Sequence, residues 1–458
     1  MRSTIVLCLA LSACVDQPDL TDDSAQLGAS GRQRFEHVFA GTNGRSCASC
    51  HVLSDATSLT PAHVASLDRS DPLFQRIDAD DPSAAVPTYR HLEKGLIRVT
   101  LALPPNMDVI DGNGNVVTNA ARTIDVWRGV PTVENVAYSG PTFQLDGRET
   151  NLRAQAQSAI TAHAQGGTVA QAHLSQIEQF ELATFSSARA AFVATLAQAG
   201  VEESDIPMPE DWLVLSNAER RGRAVFDKAC AACHGGATTH RITNRAVHDQ
   251  LFFQLHPDGN IIYDIVGGQP VPRLASRPTD EFLNIGIGLL SGYGQLGALP
   301  IGNADVELPR YRFRFYTDGS RQTAVTDLPP IPRRADGTPV DLGDLNVPVD
   351  ERGAPIFGPS LGVQWFSTDP GRAIITGDPV DFEAFDVPQL RGIARTAPYF
   401  HDNQAATLAD VADTYSRFIL PFPALGLPPI YRDSPDSPFV ESLTLAEKQD
   451  LVAFLQRL

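Results

Sequence analysis

The sequence lacks both an excess of positive charge and, beyond its N-terminus, any apolar run long enough to cross a membrane. Its 458 residues include 36 Lys and Arg against 54 Asp and Glu, a formal net charge of -18. This acidity argues against nucleic acid and anionic membrane surfaces as partners. A membrane-spanning helix needs about 20 consecutive apolar residues. We therefore expect a chain that does not span a bilayer.

Cysteine is also scarce, with six in the whole chain. Cys8 and Cys14 lie at the N-terminus, and the other four form two Cys-x-x-Cys-His units, Cys47–His51 and Cys230–His234. No cysteine is left over for a structural disulfide. A zinc site needs ligands at other spacings, and a thioredoxin-like pair does not require the histidine that follows each unit here.

Cys-x-x-Cys-His is the attachment signature of c-type haem. Two thiols one helical turn apart bond to the haem vinyl groups, and the adjoining imidazole becomes the proximal ligand of the iron. We therefore predict two covalently bound haem c groups, with His51 and His234 as proximal ligands. The four attachment residues are Cys47, Cys50, Cys230 and Cys233.

The N-terminus has the features of an export signal. Arg2 precedes the apolar run Ile5–Leu11, which is too short to span a bilayer. The segment Leu11–Cys14 resembles the bacterial lipobox, whose cysteine is lipidated and becomes the first residue of the mature chain. The alternative is a plain signal peptide with a chance cysteine. We expect an exported lipoprotein of the cell envelope or periplasm, held to a membrane only through Cys14.

Helix signals accompany both haem motifs. A helix is expected over 31–40 before the first motif, and the capping box Ser216–Glu219 begins another before the second. A second box, Thr444–Glu447, begins a C-terminal helix. One long helix is predicted over about 174–199, and the Pro-containing stretch 206–209 that follows it reads as a linker.

These signals predict a mainly α fold with two cytochrome c-type domains, each holding one covalent haem. The expected segments are a signal peptide (1–13), a lipid-anchored tether (14–30), an N-terminal domain (31–205) and a C-terminal domain (206–458). Gly and Pro are frequent over about 288–366, and Arg310–Phe315 alternates with a period of two. We predict a partly β insertion there, folded over the second haem domain.

Five further motifs lie outside the haem signatures. They are Phe143–Arg148 (followed by Leu152 and Gln155), Phe282–Gly286, Asp369–Arg372, Val387–Arg391 and Thr396–Asp402. Together with the two haem motifs they resemble the bacterial di-haem cytochrome c peroxidase family, which includes MauG, an enzyme that matures methylamine dehydrogenase. The resemblance implies that the N-terminal haem reacts with peroxide and the C-terminal haem relays electrons. Arg148 and His401, within these motifs, are implied as site residues.

The scarcity of methionine bears on the second haem, because the only methionines are Met1, Met107 and Met208. In the peroxidases, a Met fourteen residues after the His of the His-Asp motif is the sixth ligand of the C-terminal haem. The matching position after His401 is Tyr415, and MauG also has a Tyr there that binds the iron. The resemblance therefore implies Tyr415 as an iron ligand, a core aromatic being the alternative. Phenolate stabilises ferric and higher oxidation states, whereas thioether raises the potential.

The distal side of the first haem departs from the family. The relatives have a Gln followed ten residues later by a catalytic Glu; Gln155 matches the first position, but Gln165 occupies the second. An amide does not shuttle protons at neutral pH. His163 is the candidate substitute because imidazole exchanges a proton near pH 7, and an ordinary helix-face histidine is the alternative. His63 and His91 are candidates for a distal ligand, without support from their spacing.

Two other family features are missing. A Trp precedes the Asp-Gly-Arg triplet in the relatives, between the haems, and Leu145 stands there in this chain. The aromatic candidates to replace it are Trp127 and Phe143. The resemblance also implies a calcium ion held partly by the carbonyls of Thr396 and Pro398, but the Asn expected near 128–131 is absent, which argues against the ion.

The leading hypothesis is an oxidoreductase that uses H2O2 at the N-terminal haem to oxidise a redox protein or another electron donor. One alternative is an O2-dependent oxygenase resembling the di-haem rubber oxygenases, since a pocket without the Glu suits O2 that is held rather than split. The other is a non-enzymatic electron carrier. The oligomeric state does not follow from the sequence.

Overall fold

The computed structural model describes residues 30–243, 308–329, 366–420 and 442–458, together with short pieces between 251 and 300. The predicted signal peptide, most of the tether with Cys14, and much of the predicted insertion lie outside the described residues. Within the described part, no helix combines the length and apolarity needed to cross a bilayer.

Helices and short strands alternate along the chain. The helices are α1 (30–35), α2 (Pro61–Ser66), α3 (Leu152–Ala162), α4 (Gln171–Leu182), α5 (Ala188–Gln198), α6 (Asn217–Ala229), α7 (Ala373–Thr376), α8 (Leu408–Thr414) and α9 (Leu445–Leu455). The strands are β1 (Leu96–Ala102), β2 (Met107–Val109), β3 (Thr123–Gly129), β4 (Leu251–Phe253), β5 (Tyr263–Val266), β6 (Gln269–Pro272), β7 (Leu274–Ser276), β8 (Phe282–Leu283), β9 (Gln295–Leu296), β10 (Leu299–Pro300), β11 (Phe313–Tyr316), β12 (Ala324–Leu328) and β13 (Phe385–Asp386). A helix precedes each haem motif along the chain, which agrees with the expected cytochrome c-type arrangement.

The predicted long helix over about 174–199 is wrong, because two helices, α4 and α5, replace it. The break follows from side-chain hydrogen bonds at residues 186 and 187 that compete with helical ones. Ser187 caps α5 by accepting from the backbone N–H of Ala190. In addition, Asn135 accepts a hydrogen bond from the Ser186 backbone N–H at 2.9 Å and donates to its hydroxyl at 2.9 Å. The helix expected over 31–40 is also shorter than predicted and ends at residue 35.

The predicted capping boxes at both ends of the C-terminal half are confirmed. Ser216 and Glu219 bond reciprocally at the start of α6, and Thr444 and Glu447 do so at the start of α9. The two helices pack closely, with the rings of Phe226 and Phe454 5.5 Å apart. At the crossing, a Cβ on Gly222 would lie 1.8 Å from the carbonyl oxygen of Asp450. Only glycine therefore permits this approach of the two backbones.

The alternating pattern at 310–315 is confirmed as a strand. Phe313 and Phe315 of β11 are fully buried, while Arg314 between them pairs with Asp327 of β12 at 2.7 Å. However, β11 also pairs with β2 of the N-terminal half, with Phe313 opposite Val109. The expectation that this stretch folds over the second haem domain is therefore corrected for its described part, which forms a sheet with the first half.

The strand core joins distant parts of the chain. The antiparallel pair β1–β3 runs from Leu96 opposite Gly129 to Ala102 opposite Thr123. Buried side chains of β1, β2, β3, β11 and α7 share one apolar cluster. The remaining strand pairs are β4–β7, β5–β6, β9–β10 and β8–β13. The apolar alternation of the strands thus holds the chain before α3 against the chain after residue 310.

Candidate haem sites

The first Cys-x-x-Cys-His motif begins in a tight turn, Cys47–Ser49, capped by Ser46. The backbone N–H of His51 donates to the Cys47 carbonyl at 2.9 Å. Nδ1 of His51 lies 3.0 Å from the Thr57 carbonyl oxygen. A carbonyl only accepts, so Nδ1 carries the proton and the Nε2 lone pair is left for a metal.

The second motif repeats this arrangement with other residues. Cys230 caps the C-terminus of α6, and the His234 N–H donates to its carbonyl at 2.9 Å. Nδ1 of His234 lies 3.0 Å from the carbonyl oxygen of Pro388, which belongs to the Val387–Arg391 motif. Burial lowers the pKa of His51, and it lowers that of His234 to about 4. Both rings are therefore neutral at pH 7, the form that binds iron.

The four thiols fit a thioether-linked haem. Burial raises the pKa of all four, to about 12 for Cys47 and Cys230 and to about 11 for Cys50 and Cys233. They are therefore neutral thiols in apolar surroundings, with no disulfide between them. The haem number and linkage stay predictions, but the residues present suit them.

Tyr415 lies at the second thiol pair, as its proposed role requires. It follows α8 and begins a short π-helical turn. Burial is the largest cause that raises the pKa of its phenol, followed by the thiols of Cys233 and Cys230, so the phenol lies within electrostatic range of both. The ring also stacks on Phe400 at 6.2 Å. A cationic iron at the site would reverse the direction of this shift, and iron ligation by Tyr415 stays a prediction.

His163 lies near the first motif, at the C-terminal cap of α3. Burial lowers its pKa to about 4, and the charges of Arg45, Arg148 and His51 act in the same direction. The structure therefore places this candidate within electrostatic range of His51. However, it leaves the imidazole unprotonated at pH 7, rather than poised near neutrality as the sequence suggested.

The two glutamines are placed differently from each other. Gln155 is half-buried on α3, whereas Gln165 is exposed, at a left-handed φ of 54°. The Gln165 side-chain oxygen accepts from the Asn43 amide at 3.2 Å, and that amide also donates to the His163 carbonyl at 3.0 Å. The exposed position of Gln165 gives it less access to a buried pocket than Gln155 has.

Sequence reasoning missed a buried ion pair beside the first motif. Nη1 of Arg45 lies 2.6 Å from Oδ2 of Asp78, with both side chains almost fully buried. Arg45 also donates to the His163 carbonyl at 3.2 Å. Its charge lowers the pKa of Cys50, while that of Asp78 raises it. The one available signal was an arginine two residues before Cys47, which carries no meaning without the fold.

A buried ionic network lies between the first site and the second half of the chain. Asp146 accepts from Arg148 at 2.7 Å and from Arg128 at 2.6 Å. Arg128 also pairs with Asp369 at 2.6 Å. Arg148, implied as a site residue, thus acts on His163 and is anchored in this network. The motifs Phe143–Arg148 and Asp369–Arg372, far apart in sequence, meet here.

The glycine of the Asp-Gly-Arg triplet is required by this packing. Gly147 has a φ of 69°, and a Cβ there would lie 2.4 Å from Phe282 and 2.5 Å from Arg372. The Arg372 guanidinium lies over the Phe282 ring at 3.9 Å. Any side chain at 147 would displace this pair.

Leu145 bonds to a strand that carries an aromatic residue sequence reasoning did not name. The Asp386 N–H donates to the Leu145 carbonyl at 2.9 Å, and Phe385 is the preceding residue of that strand. Phe385 stacks on His401 at 4.1 Å, and the His401 carbonyl accepts from the Gly129 N–H at 2.7 Å. A separate stacked pair, Phe400 with Tyr415, lies one residue along the chain from His401.

The suggested aromatic Trp127 has a different contact. It stacks on His91 at 4.1 Å with the rings nearly parallel, and Nδ1 of His91 lies 2.6 Å from Asp80. His63 lies half-buried in α2. Phe143 is half-buried and pairs through its backbone with Glu149. None of these contacts assigns a distal iron ligand.

Among the residues with described side chains, no three His, Cys, Asp or Glu groups converge to hold a metal ion. The calcium expectation depends on backbone carbonyls and stays a prediction.

No protein-family model matches the chain. The chain is similar to the cytochrome c551 peroxidase of Nitrosomonas europaea, with 48% identity over 50 residues. This match covers 11% of the chain and 15% of that relative, well under two thirds of its length.

Two solved structures are similar over most of the chain at low identity. A MauG-like protein associated with microbial copper homeostasis is 18% identical with a TM-score of 0.39, over 94% of this chain and 87% of that one. The di-haem peroxidase BthA from Burkholderia thailandensis E264 is 15% identical with a TM-score of 0.35, over 96% and 86%. The local match to cytochrome c551 peroxidase confirms the resemblance to the bacterial di-haem cytochrome c peroxidase and MauG family that the motifs predict.

Proposed function

We propose that this protein is a di-haem peroxidase-type oxidoreductase that uses H2O2 at the N-terminal haem to oxidise a redox protein or another electron donor. The observation that carries the proposal is an asymmetry between two otherwise matched sites. Both proximal histidines are held by a carbonyl at Nδ1, but among the described residues a tyrosine interacts electrostatically with the thiols at the second pair and not at the first. Tyr415 would be the sixth ligand of the second iron, whereas no described contact assigns a sixth ligand to the first.

Each haem, when bound, supplies an iron that exchanges electrons and, where a position is open, binds an oxidant. His51 and His234 would hold the two irons through Nε2, with the carbonyls of Thr57 and Pro388 fixing the orientation of each ring. Tyr415 would supply a phenolate to the second iron and favour its oxidised states. These roles leave substrate access to the first site.

His163 supplies a base near the first site. A neutral imidazole accepts a proton from an incoming hydroperoxide, and its low pKa makes it a ready donor once protonated. Gln155 is placed on the same helix to donate a hydrogen bond from its amide. Gln155 keeps the Gln of the relatives, and His163 takes the place of their Glu.

One observation favours a second candidate, an O2-dependent oxygenase. At pH 7 neither His163 nor an amide in this region holds a proton that is readily given up. A pocket without a proton donor suits an oxidant that is bound rather than split.

The haem content is measured first and should give two haems per chain. The diferric protein is then titrated with stoichiometric H2O2 while optical and near-infrared spectra are recorded. A prompt Soret shift with a lasting high-valent signature is expected. No change in the diferric and half-reduced forms, together with a stable ferrous–oxy spectrum under O2, would replace the peroxidase by the oxygenase. If neither iron binds CO or cyanide in either oxidation state, the result would instead support a non-enzymatic electron carrier.

We also propose that the protein is exported and anchored in the cell envelope through a lipid on Cys14. The sequence pattern Leu11–Cys14 supports this proposal. Cys14→Ser is expected to move the protein from the membrane fraction to the soluble periplasm, and a membrane-bound Cys14→Ser protein would contradict it.

A further inference from the structure

A buried acid lies beside the first haem motif and has no role in the proposed reaction. Glu181, near the end of α4, is 3% exposed. Its helix packs against the motif through aromatic contacts: Phe180 lies 4.9 Å from Phe35, whose ring lies 6.0 Å from that of His51. The charge of Glu181 raises the pKa of the Cys47 thiol, which places the carboxyl on the Cys47 side of the motif.

Glu181 has no partner for its charge among the described residues. Its Oε2 is buried without a hydrogen-bond donor, and no described cation forms an ion pair with it. The ionisable side chains that act on it are Glu178, of its own helix, and Cys47. Glu178 already pairs with Arg153 at 3.3 Å. An apolar cluster that includes Ile177 and Phe35 covers this side of the motif.

On the opposite side of the motif, a buried acid has an ion-pair partner. Asp78 is equally buried but lies 2.6 Å from the guanidinium of Arg45. The unpaired state of Glu181 is therefore specific to the Cys47 side. Burial, with the repulsion of Glu178 added, raises the pKa of Glu181 to about 8, so the side chain carries a proton at neutral pH.

We propose that Glu181 is a proton-exchanging carboxyl coupled to the oxidation state of the haem attached at Cys47 and Cys50. Loss of one electron from this haem to the oxidant would leave one more positive charge near the carboxyl. Glu181 then releases one proton to solvent and becomes a carboxylate that balances this charge. Reduction reverses both transfers, so at most one proton accompanies each electron. The inference rests on the haem attachment in the proposed function, not on the identity of the oxidant.

The test is the reduction potential of the N-terminal haem, measured by spectroelectrochemistry from about pH 6 to about pH 9. In the native protein the potential is expected to fall as pH rises, and Glu181→Gln should flatten this dependence. Glu178→Gln is the matched control, because it removes a carboxylate one turn away that is more exposed and ion-paired. The control should keep the pH dependence, with its midpoint moved to lower pH because the repulsion of Glu178 is lost.

Redox-difference infrared spectra give a second, independent readout. A carbonyl band of a protonated carboxylic acid should appear in the native difference spectrum, remain in Glu178→Gln and be absent in Glu181→Gln. Native slope and native band in Glu181→Gln would overturn the proposal. If Glu181→Gln fails to fold, Glu181→Asp is used, because it keeps a titrating carboxyl at a different distance from the haem. A pH dependence of the potential whose midpoint is unmoved in Glu181→Asp would then overturn the proposal. Absence of haem from the native protein would contradict the proposed function itself, which separates the two failures.

Discussion

The surroundings of the two Cys-x-x-Cys-His motifs differ more than the motifs do. Around the first lie the Arg45–Asp78 ion pair, the His163 imidazole and the unpaired acid Glu181. Around the second lie Tyr415 and an apolar cluster built from α6, α8 and α9. The shared part is the turn, the thiols and the histidine bonded to a carbonyl. Attachment is thus set locally, whereas the chemistry of each site depends on residues far along the chain.

Removing one thiol pair at a time should separate the two sites most strongly. Cys47→Ser with Cys50→Ser is expected to abolish the reaction with peroxide, because it removes the haem that has the open position. Cys230→Ser with Cys233→Ser should leave a reaction at the first haem but remove electron relay. Haem content and peroxide titrations measure both. A peroxide reaction that survives only in the first variant would reverse the assignment of the two sites.

Replacing the phenol should alter the second site alone. Tyr415→Phe is expected to raise the reduction potential of the C-terminal haem, because the anionic ligand that favours ferric iron is lost. The matched control is Tyr399→Phe, since that hydroxyl donates to the Ile393 carbonyl at 2.9 Å. Spectroelectrochemistry should show a shift in the first variant and none in the control. If the reduction potential of the C-terminal haem is the same in Tyr415→Phe as in Tyr399→Phe, Tyr415 is a core aromatic and not an iron ligand.

Breaking the ion pair of the first site should destabilise the protein. Arg45→Met leaves Asp78 charged and buried, a change that typically costs about 3–5 kcal/mol of unfolding free energy. Arg69→Met is the control, because its partner Glu93 is exposed and such pairs contribute about 0–1 kcal/mol. Guanidinium unfolding of both variants measures the difference. Equal losses would show that burial of Arg45 does not matter.

The smallest expected effect is the pH response of His163. Its folded pKa lies below the ordinary value, so protonation opposes folding, and stability from this group is lost as pH falls from about 6.5 through about 4. The rate of peroxide reaction should decline over the lower part of this range as the base becomes protonated. His163→Gln should remove that decline, as followed by stopped-flow absorbance. An inflection near pH 7 that His163→Gln removes would show a pKa close to the ordinary one.

The sequence predicted what depends on short-range chemistry. The haem motifs, the capping boxes at Ser216 and Thr444, and the strand at 310–315 all depend on neighbours within a few residues. The split between α4 and α5 was not predictable, because it depends on Asn135, which is remote in the chain. Glu181 was missed for a similar reason, since nothing in its sequence neighbourhood indicates that it is buried beside Cys47. The lowered pKa of His163 likewise arises from burial and from charges that only the fold brings together.

The pairing of β2 with β11 has a consequence for biogenesis. In the proposed export the N-terminal half would reach the translocation machinery first, yet its strand β2 gains a partner only when residues 313–316 follow. Until then β2 exposes an unpaired edge, a hazard for association with other chains. The first Cys-x-x-Cys-His motif, which lies ahead of β2, would be available during this interval for the proposed haem attachment. We expect haem to be attached to a partly assembled first half, with closure of the sheet following.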